Sequence, residues 1–197
     1  MLHSFIGGAD GAYPEAGLTL DGNGYYMYGI TNSGGVYGWG TVFVVGPNGG
    51  ETVLYTFTGG TDGGYPAASL IQDAAGNLYG TTYGGGAYSY GTVFKLSPSR
   101  VETVLHSFTG GTDGASPAAG LIQDAQGILY GTTPYGNPQG WGTVFKVSPT
   151  GVEKVLFSFV AAAEGQRPSA SLIQDGKGYL YGTTLFGALT ASGQSLC

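Results

Sequence analysis

The chain has 197 residues, of which 42% are hydrophobic, 9% are charged and 40 are glycine. The hydrophobic content and the fifteen tyrosines exclude a disordered chain, because burying them can offset the entropy cost of ordering the backbone. The net charge of −6 and the six scattered Lys and Arg exclude a basic nucleic-acid-binding patch, and no apolar run reaches the length of about 18 residues that a membrane span needs.

A repeat of about 51 residues organises the whole sequence. The units cover residues 2–53, 54–104, 105–155 and 156–197, and the first carries one extra residue near Tyr25 and Tyr26. We expect one domain, 1–197, built from these units. A period near 50 residues with several short strands per unit is typical of β-propeller blades and not of helical solenoids.

Each unit contains four predicted strands, which the third unit shows in chain order. They span residues 118–124, 128–133, 142–147 and 152–159. Short turns containing glycine or proline separate them, so each unit is predicted to form a four-stranded antiparallel meander. The expected fold is therefore an all-β propeller of four blades with four antiparallel strands each.

The two ends of the sequence suggest how such a ring closes. Residues 2–5 match the fourth strand of a unit, whereas the last unit stops after the third. The N-terminal strand is thus expected to complete the last blade, which would remove the free sheet edges. Two alternatives remain: the chain is a fragment of a longer array, or two chains share one eight-bladed ring. The protein is accordingly expected to be a monomer or a homodimer.

Three motifs carry a resemblance to a known family: LYGTT-x-GG, GTVFKLSP and ETVLHSFTGG. With them the units resemble the bacterial GloVer tandem repeats over nearly the whole chain. Residues 29–33 and 160–164 depart from the pattern. The P-x-x-x-L-x-x-D-x-x-G-x-L-Y pattern is also similar to NHL-type propeller repeats, which implies that the LIQD strand is innermost. The resemblance implies a propeller located outside the cell or on its surface, and it implies no substrate.

Two series of acidic residues recur at equivalent positions. With the LIQD strand innermost, the first series lies on the same face as the Gly-rich loops: Asp10, Asp62, Asp113 and Glu164. An acidic side chain beside a turn glycine commonly accepts a backbone N–H, but a ring of four carboxylates would also suit Ca²⁺. The second series ends the first strand and is expected to be structural: Asp21, Asp73, Asp124 and Asp175. A calcium ion is the one candidate cofactor.

Residues that break the repeat are candidates for function, because folding by symmetry does not require them. Glu15 stands where the other units have Ala67, Ala118 and Ser169. Arg167 stands where they have Tyr13, Tyr65 and Ser116. Glu15, Asp10 and Glu164 are the candidate acid and base residues of a hydrolase. Arg167 is a candidate ligand-binding residue.

Aromatic residues in the Gly-rich loops form the remaining candidate ligand-binding set: Tyr37, Trp39, Tyr88, Tyr90, Tyr135 and Trp141. Exposed Tyr and Trp offer flat amphipathic surfaces for sugars or partner proteins. Alternatively, these rings pack between neighbouring blades. Phe186 occupies the corresponding loop of the fourth unit.

The leading functional hypothesis is a non-catalytic, extracellular binding or scaffold propeller that meets glycans or proteins through its loop face. Low lysine content with abundant glycine, threonine, serine and tyrosine agrees with a secreted or cell-surface protein. The alternative is a glycosidase or esterase with carboxylates at the mouth of the channel. The sequence has no G-x-S-x-G elbow, phosphate-binding loop or His pair with metal-ligand spacing.

Overall fold

Short antiparallel strands make up almost all regular structure in the computed structural model, which describes residues 2–187. Blade 1 contains β1 (Thr19–Leu20), β2 (Met27–Thr31), β3 (Thr41–Val45) and β4 (Glu51–Thr56). Blade 2 contains β5 (Gly64–Pro66), β6 (Ile71–Gln72), β7 (Leu78–Gly84), β8 (Thr92–Leu96) and β9 (Glu102–Ser107).

Blade 3 contains β10 (Ile122–Gln123), β11 (Leu129–Thr133), β12 (Thr143–Val147) and β13 (Glu153–Ser158). The fourth unit begins with a 3₁₀ turn at Ala162–Glu164 and continues with β14 (Gln166–Pro168), β15 (Ile173–Gln174), β16 (Leu180–Tyr181) and β17 (Thr184–Phe186). In blades 1 and 3 the strands pair in chain order. In blade 2 both β5 and β6 pair with β7, which is followed by β8 and β9, and the described part of the fourth unit forms two antiparallel pairs, β14 with β17 and β15 with β16. The first three units thus contain the predicted four-stranded antiparallel meander, whereas the described part of the fourth unit does not show one.

The third and fourth strands of each complete blade pair with the same irregularity. In blade 1, Val42 faces Tyr55 and Phe43 faces Val53, so Leu54 is an extra residue in β4. The same shift recurs in blades 2 and 3. A bulge of this kind increases the local twist.

The first strands are shorter than predicted. Residues 118–124 were expected to form one strand, but only Ile122 and Gln123 pair with β11. The carbonyl of Ala119 instead accepts a hydrogen bond from the hydroxyl of Thr81 in the preceding blade (3.4 Å). The segment before β10 therefore bonds to its neighbour and not to its own sheet.

The first strands lie on the inner side of the arc of blades. A Cβ atom built on Gly120 would lie 2.9 Å from the Ser171 hydroxyl and 3.5 Å from the Ser69 carbonyl. These residues belong to three consecutive units, so the segments leading into the first strands converge. Convergence here agrees with the strand order that the NHL resemblance implies.

Phenylalanines hold consecutive blades together. Phe57 follows β4 and packs edge-on against Phe94 of blade 2, with 5.1 Å between the ring centroids. Phe108 follows β9 and packs in the same way against Phe145 of blade 3, at 5.0 Å. All four rings are fully buried. Each blade thus supplies the core of the next, as in other repeat proteins whose units are unstable alone.

The N-terminal segment lies on blade 1 in the position of a preceding blade's fourth strand. Phe5 packs against Phe43 with 4.8 Å between the centroids, like the pairs between later blades. The Leu2 carbonyl lies 2.7 Å from a Cβ built on Gly49, and Leu105 has the same relation to Gly151. The segment therefore docks onto the first blade through the same kinds of contact that join the later blades.

Ring closure is not confirmed. Within residues 2–187, residues 2–5 form no strand and no sheet closes on itself. The segment expected to pair with them, residues 192–197, lies outside the described residues. The described part is an open, propeller-like arc of blades. It also contains no helix long and apolar enough to cross a membrane.

Candidate functional site

One face of the arc carries two kinds of loop, as predicted from the strand order. Turns that follow the fourth strands accept hydrogen bonds from the Gly-rich loops of the next blade. The Gly86 amide donates to the Gly60 carbonyl (2.8 Å), and the Asn137 amide donates to the Gly111 carbonyl (2.6 Å). We call this side the loop face. These bonds hold its backbone at the junctions of blades 1 and 2 and of blades 2 and 3.

Threonine hydroxyls anchor the Gly-rich loops from below. The hydroxyls of Thr82, in β7, and Thr92, at the start of β8, lie 2.9 Å apart and both side chains are buried. Thr133 and Thr143 make the same contact in blade 3 at 2.8 Å. The repeated GTT and GTV motifs therefore fix the ends of the loops, which leaves their tips to present other side chains.

The four carboxylates of the candidate calcium site each close their own turn. Asp62 accepts hydrogen bonds from the Thr58 amide (2.8 Å), the Thr58 hydroxyl and the Tyr55 hydroxyl (3.0 Å). Asp10 and Asp113 bond to their own turns in the same way, and Glu164 accepts from the Val160 amide (2.9 Å). In residues 2–187 no group of three or more His, Cys, Asp or Glu side chains is arranged to hold a metal. Calcium binding stays a prediction.

The candidate hydrolase residues do not share hydrogen bonds. Asp10 and Glu164 are engaged in their own turns, in the first and fourth units. Glu15 is exposed, and its amide donates to the carbonyl of Tyr13 (3.0 Å). No hydrogen bond among the described residues joins two of these three carboxylates. Their role in catalysis also stays a prediction.

Three of the loop aromatics pack between blades. The Trp39 ring covers Gly59 of the next unit and lies 4.8 Å from the Tyr65 ring. Gly59 has a positive φ of 75°, and a side chain there would collide with the indole. Tyr90 covers Gly110 in the equivalent way, and Trp141 packs against the core between units 3 and 4. These three rings therefore agree with the alternative interpretation, in which the loop aromatics pack between neighbouring blades.

Two of the other loop aromatics are exposed. Tyr37 and Tyr88 lie at equivalent positions of the first two loops and are 60% and 57% exposed. Tyr135 is half-buried beneath Arg167 of the next unit. Tyr37 and Tyr88 are therefore the exposed candidates without a contact to the next unit described above, whereas Tyr90 combines a contact between blades with 46% exposure.

A left-handed residue recurs at the inner edge of the loop face. Tyr13, Tyr65, Ser116 and Arg167 have φ angles of 57°, 56°, 52° and 55°. We call these four residues the inner rim. Such angles are unfavourable for side chains with a Cβ atom, and glycine occupies most left-handed positions in the described part. The inner rim keeps a side chain in every unit despite that cost.

Around Arg167 the inner rim joins a cluster at the junction of units 3 and 4. The guanidinium lies over the Tyr135 ring at 5.1 Å and over the Phe186 ring at 5.6 Å from the centroids. Cation–π contacts of this kind contribute about 0.5–2 kcal/mol each, depending on exposure. We call Tyr83, Ser116, Tyr135, Arg167 and Phe186 the junction cluster.

Tyr83 belongs to blade 2 and interacts electrostatically with the cluster. Burial raises the pKa of Tyr83, and interaction with Tyr135 raises it further, whereas a hydrogen bond with Ser116 and the positive charge of Arg167 oppose the shift. Tyr83 was not selected from the sequence. It replaces Asn32, and so it breaks the repeat as Arg167 does. A search for residues that break the repeat, which identified Arg167, would therefore also identify Tyr83.

A second titratable group recurs at the blade junctions, away from the inner rim. Each fourth strand begins with a glutamate that has one buried carboxylate oxygen without a hydrogen-bond partner: Glu51, Glu102 and Glu153. Burial raises the pKa of Glu102 to about 7, with a contribution from Asp62. Burial raises the pKa of Glu153 to about 7 as well, with a contribution from Asp113. Sequence analysis missed these residues, although they recur every 51 positions.

Solved structures with a similar fold include proteins named for lactone hydrolysis. A predicted gluconolactonase studied by structural genomics has a TM-score of 0.55 and 16% identity, covering 91% of this chain and 61% of its own. A predicted 6-phosphogluconolactonase from Bacteroides uniformis has a TM-score of 0.50 and 14% identity, covering 93% of this chain and 56% of its own. The chain thus spans less than two thirds of either protein. At this identity the likeness shows a propeller-like fold.

Sequence comparison supplies the family. No curated protein is significantly similar to the chain in sequence. The repeat itself is recognised from end to end, and the match covers residues 1–196. The chain therefore belongs to the Gloeobacter/Verrucomicrobia repeat family.

Proposed function

We propose that the chain is a binding protein whose inner rim and junction cluster take a carbohydrate ligand. One observation carries this proposal: the same left-handed position holds Tyr, Tyr, Ser and Arg in the four units. Glycine would be the least strained choice there. Strained non-glycine positions concentrate where a side chain is needed for function.

The chemistry of these side chains suits a sugar. Tyr13 and Tyr83 are 67% and 40% exposed, and each combines a flat apolar ring with a hydroxyl. Ser116 and Arg167 add a hydroxyl and hydrogen-bond donors. Sugars combine apolar ring faces with hydroxyl edges, so such a mixed surface can contact both. The net charge of −6 disfavours nucleic acid as the ligand.

Glycan-array binding tests this proposal, with Tyr83→Ala as the variant. We expect it to weaken binding of the preferred glycan about tenfold, because a stacked aromatic contributes up to about 1.5 kcal/mol. Tyr25→Ala is the matched control, since Tyr25 is 64% exposed and lies at the opposite end of the blade, in the turn after the first strand. Absence of glycan binding, or equal losses in both variants, would contradict the proposal.

A hydrolase is the second candidate, favoured by the lactonase names of the structural neighbours. In this case Glu15, Asp10 and Glu164 are the candidate catalytic residues. A panel of lactones, chromogenic glycosides and esters tests it directly. Turnover that Glu15→Gln abolishes would support the hydrolase, and the absence of turnover on the whole panel would count against it.

We further propose that residues 2–5 complete the last unit and close a four-bladed ring, in a protein located outside the cell or on its surface. The docking of Phe5 on Phe43 supports the first part. Deleting residues 2–6 should lower the melting temperature or cause aggregation, because a sheet edge becomes free. Light scattering separates this ring from an eight-bladed ring shared by two chains, which requires a stable dimer.

A further inference from the structure

Arg167 is fixed in its position by its backbone. It is the central residue of β14, which pairs with β17 through Gln166 with Phe186 and Pro168 with Thr184. Its amide donates to the Trp141 carbonyl of the preceding blade at 2.9 Å. The backbone is thereby bonded on both sides. The exposed side chain extends from a rigid point on the loop face.

The two aromatic contacts do not supply hydrogen-bond acceptors to the guanidinium. Its Cζ atom lies over the Tyr135 ring at 5.1 Å and over the Phe186 ring at 5.6 Å from the centroids. A guanidinium has five N–H donors, and in the described part of the chain the Arg167 side chain donates no hydrogen bond. Two parallel N–H groups in one plane match the two oxygens of a carboxylate.

No acidic side chain neutralises this cation. All twelve Asp and Glu residues lie within residues 2–187, and there the ion pairs are His3 with Asp10 and His106 with Asp113. Glu164, three positions before Arg167, is bonded to the amides of its own turn. In the described part of the chain, the positive charge of Arg167 therefore has no carboxylate partner.

We infer that Arg167 recognises the carboxylate of a sugar acid, such as a uronic or aldonic acid, bound at the junction cluster. This inference rests on the proposed carbohydrate function and names its ligand class. The charge of Arg167 acts on the Tyr83 hydroxyl, which interacts in turn with Ser116, so these two hydroxyls are the proposed partners for the hydroxyls of the same ligand. One guanidinium neutralises a singly charged carboxylate, whereas it leaves part of the charge of a phosphate monoester, about −1.5 to −2 at pH 7, unbalanced.

Calorimetric or NMR titration with D-glucuronate, D-glucose and D-glucose 6-phosphate tests the inference. We expect the wild type to bind glucuronate about tenfold more tightly than glucose, because a hydrogen bond to a charged group is worth at least that factor. Added salt should reduce the preference. Arg167→Gln should remove it, and Arg167→Lys should retain part of it, since lysine keeps the charge but not the planar fork. Arg100→Gln, the chain's other arginine, is the control and should keep it.

The outcomes separate this inference from the proposed function. Equal binding of glucuronate and glucose, or a preference that survives Arg167→Gln, overturns the sugar-acid inference and leaves carbohydrate binding intact. Tighter binding of glucose 6-phosphate than of glucuronate, lost in Arg167→Gln, overturns the choice of carboxylate. Failure of the wild type to bind any saccharide overturns both. Melting temperatures of the variants show whether Arg167 acts only by stabilising the junction of units 3 and 4.

Discussion

Replacing Phe108 by alanine should destabilise the protein more than any surface change. The ring is fully buried between blades 2 and 3 and packs against Phe145 at 5.0 Å and His106 at 4.8 Å. Truncation of a buried phenylalanine to alanine typically costs about 3–5 kcal/mol, from lost burial and the cavity left behind. The upper half of that range applies, because strands on both sides restrict collapse of the cavity.

Phe5→Ala is the matched comparison. Phe5 makes the equivalent contact with Phe43 at 4.8 Å, but it is only half-buried. A cost of about 1–2 kcal/mol is expected, because less apolar surface leaves water when the segment docks. The difference between the two losses in unfolding free energy measures how much stability a complete preceding blade adds to the same phenylalanine contact.

Urea unfolding followed by tryptophan fluorescence and circular dichroism provides the measurement. Trp39 reports on the junction of units 1 and 2, and Trp141 reports on the junction of units 3 and 4. Because the blades are coupled only to their neighbours, Phe108→Ala should also separate the two halves into distinct transitions. A loss below about 1 kcal/mol for Phe108→Ala, or equal losses in both variants, would refute the proposed coupling of blades.

Three further substitutions test individual features. Gly59→Ala should lower the melting temperature and expose the Trp39 indole to fluorescence quenching, whereas Gly50→Ala, in open space with an ordinary φ, should do neither. Glu102 has a pKa raised from 4.5 to about 7, so the stability it contributes is complete below pH 4.5 and is lost as the pH rises through 7. In Glu102→Gln the melting temperature should fall less between pH 4.5 and 8 than in the wild type, and an unchanged profile would contradict the assignment. If the carboxylates bind calcium, chelator should lower the melting temperature and Asp62→Asn should remove this effect; if Asp62 only closes its turn, chelator will have no effect.

The repeat made the blades predictable because periodicity and turn residues act locally. The meander and the turn role of residues such as Asp73, which accepts the Asn77 amide at 2.9 Å, follow from the pattern of the sequence. The length of the first strand could not be predicted, since Ala119 bonds to the preceding blade. That contact spans 38 residues and depends on how the blades stack.

The candidate site was only partly predictable, because it also depends on how neighbouring units pack against each other. Arg167 was selected because it breaks the repeat, and Tyr135 because it lies in a Gly-rich loop. Their contact at 5.1 Å depends on the packing of unit 4 against unit 3. Trp39 was also a candidate ligand-binding residue because it lies in a Gly-rich loop. Its ring instead packs on Gly59 of the next blade.

The central claim is that side chains of different units form one binding site on the inner side of the loop face. Mapping amide chemical-shift changes during titration with a bound saccharide tests this claim most directly. The changes should concentrate around Tyr83, Ser116, Tyr135 and Arg167, in three consecutive units. Changes confined to the turns at the opposite ends of the blades, around Asp73 and Asp124, or spread evenly over the chain, would contradict it.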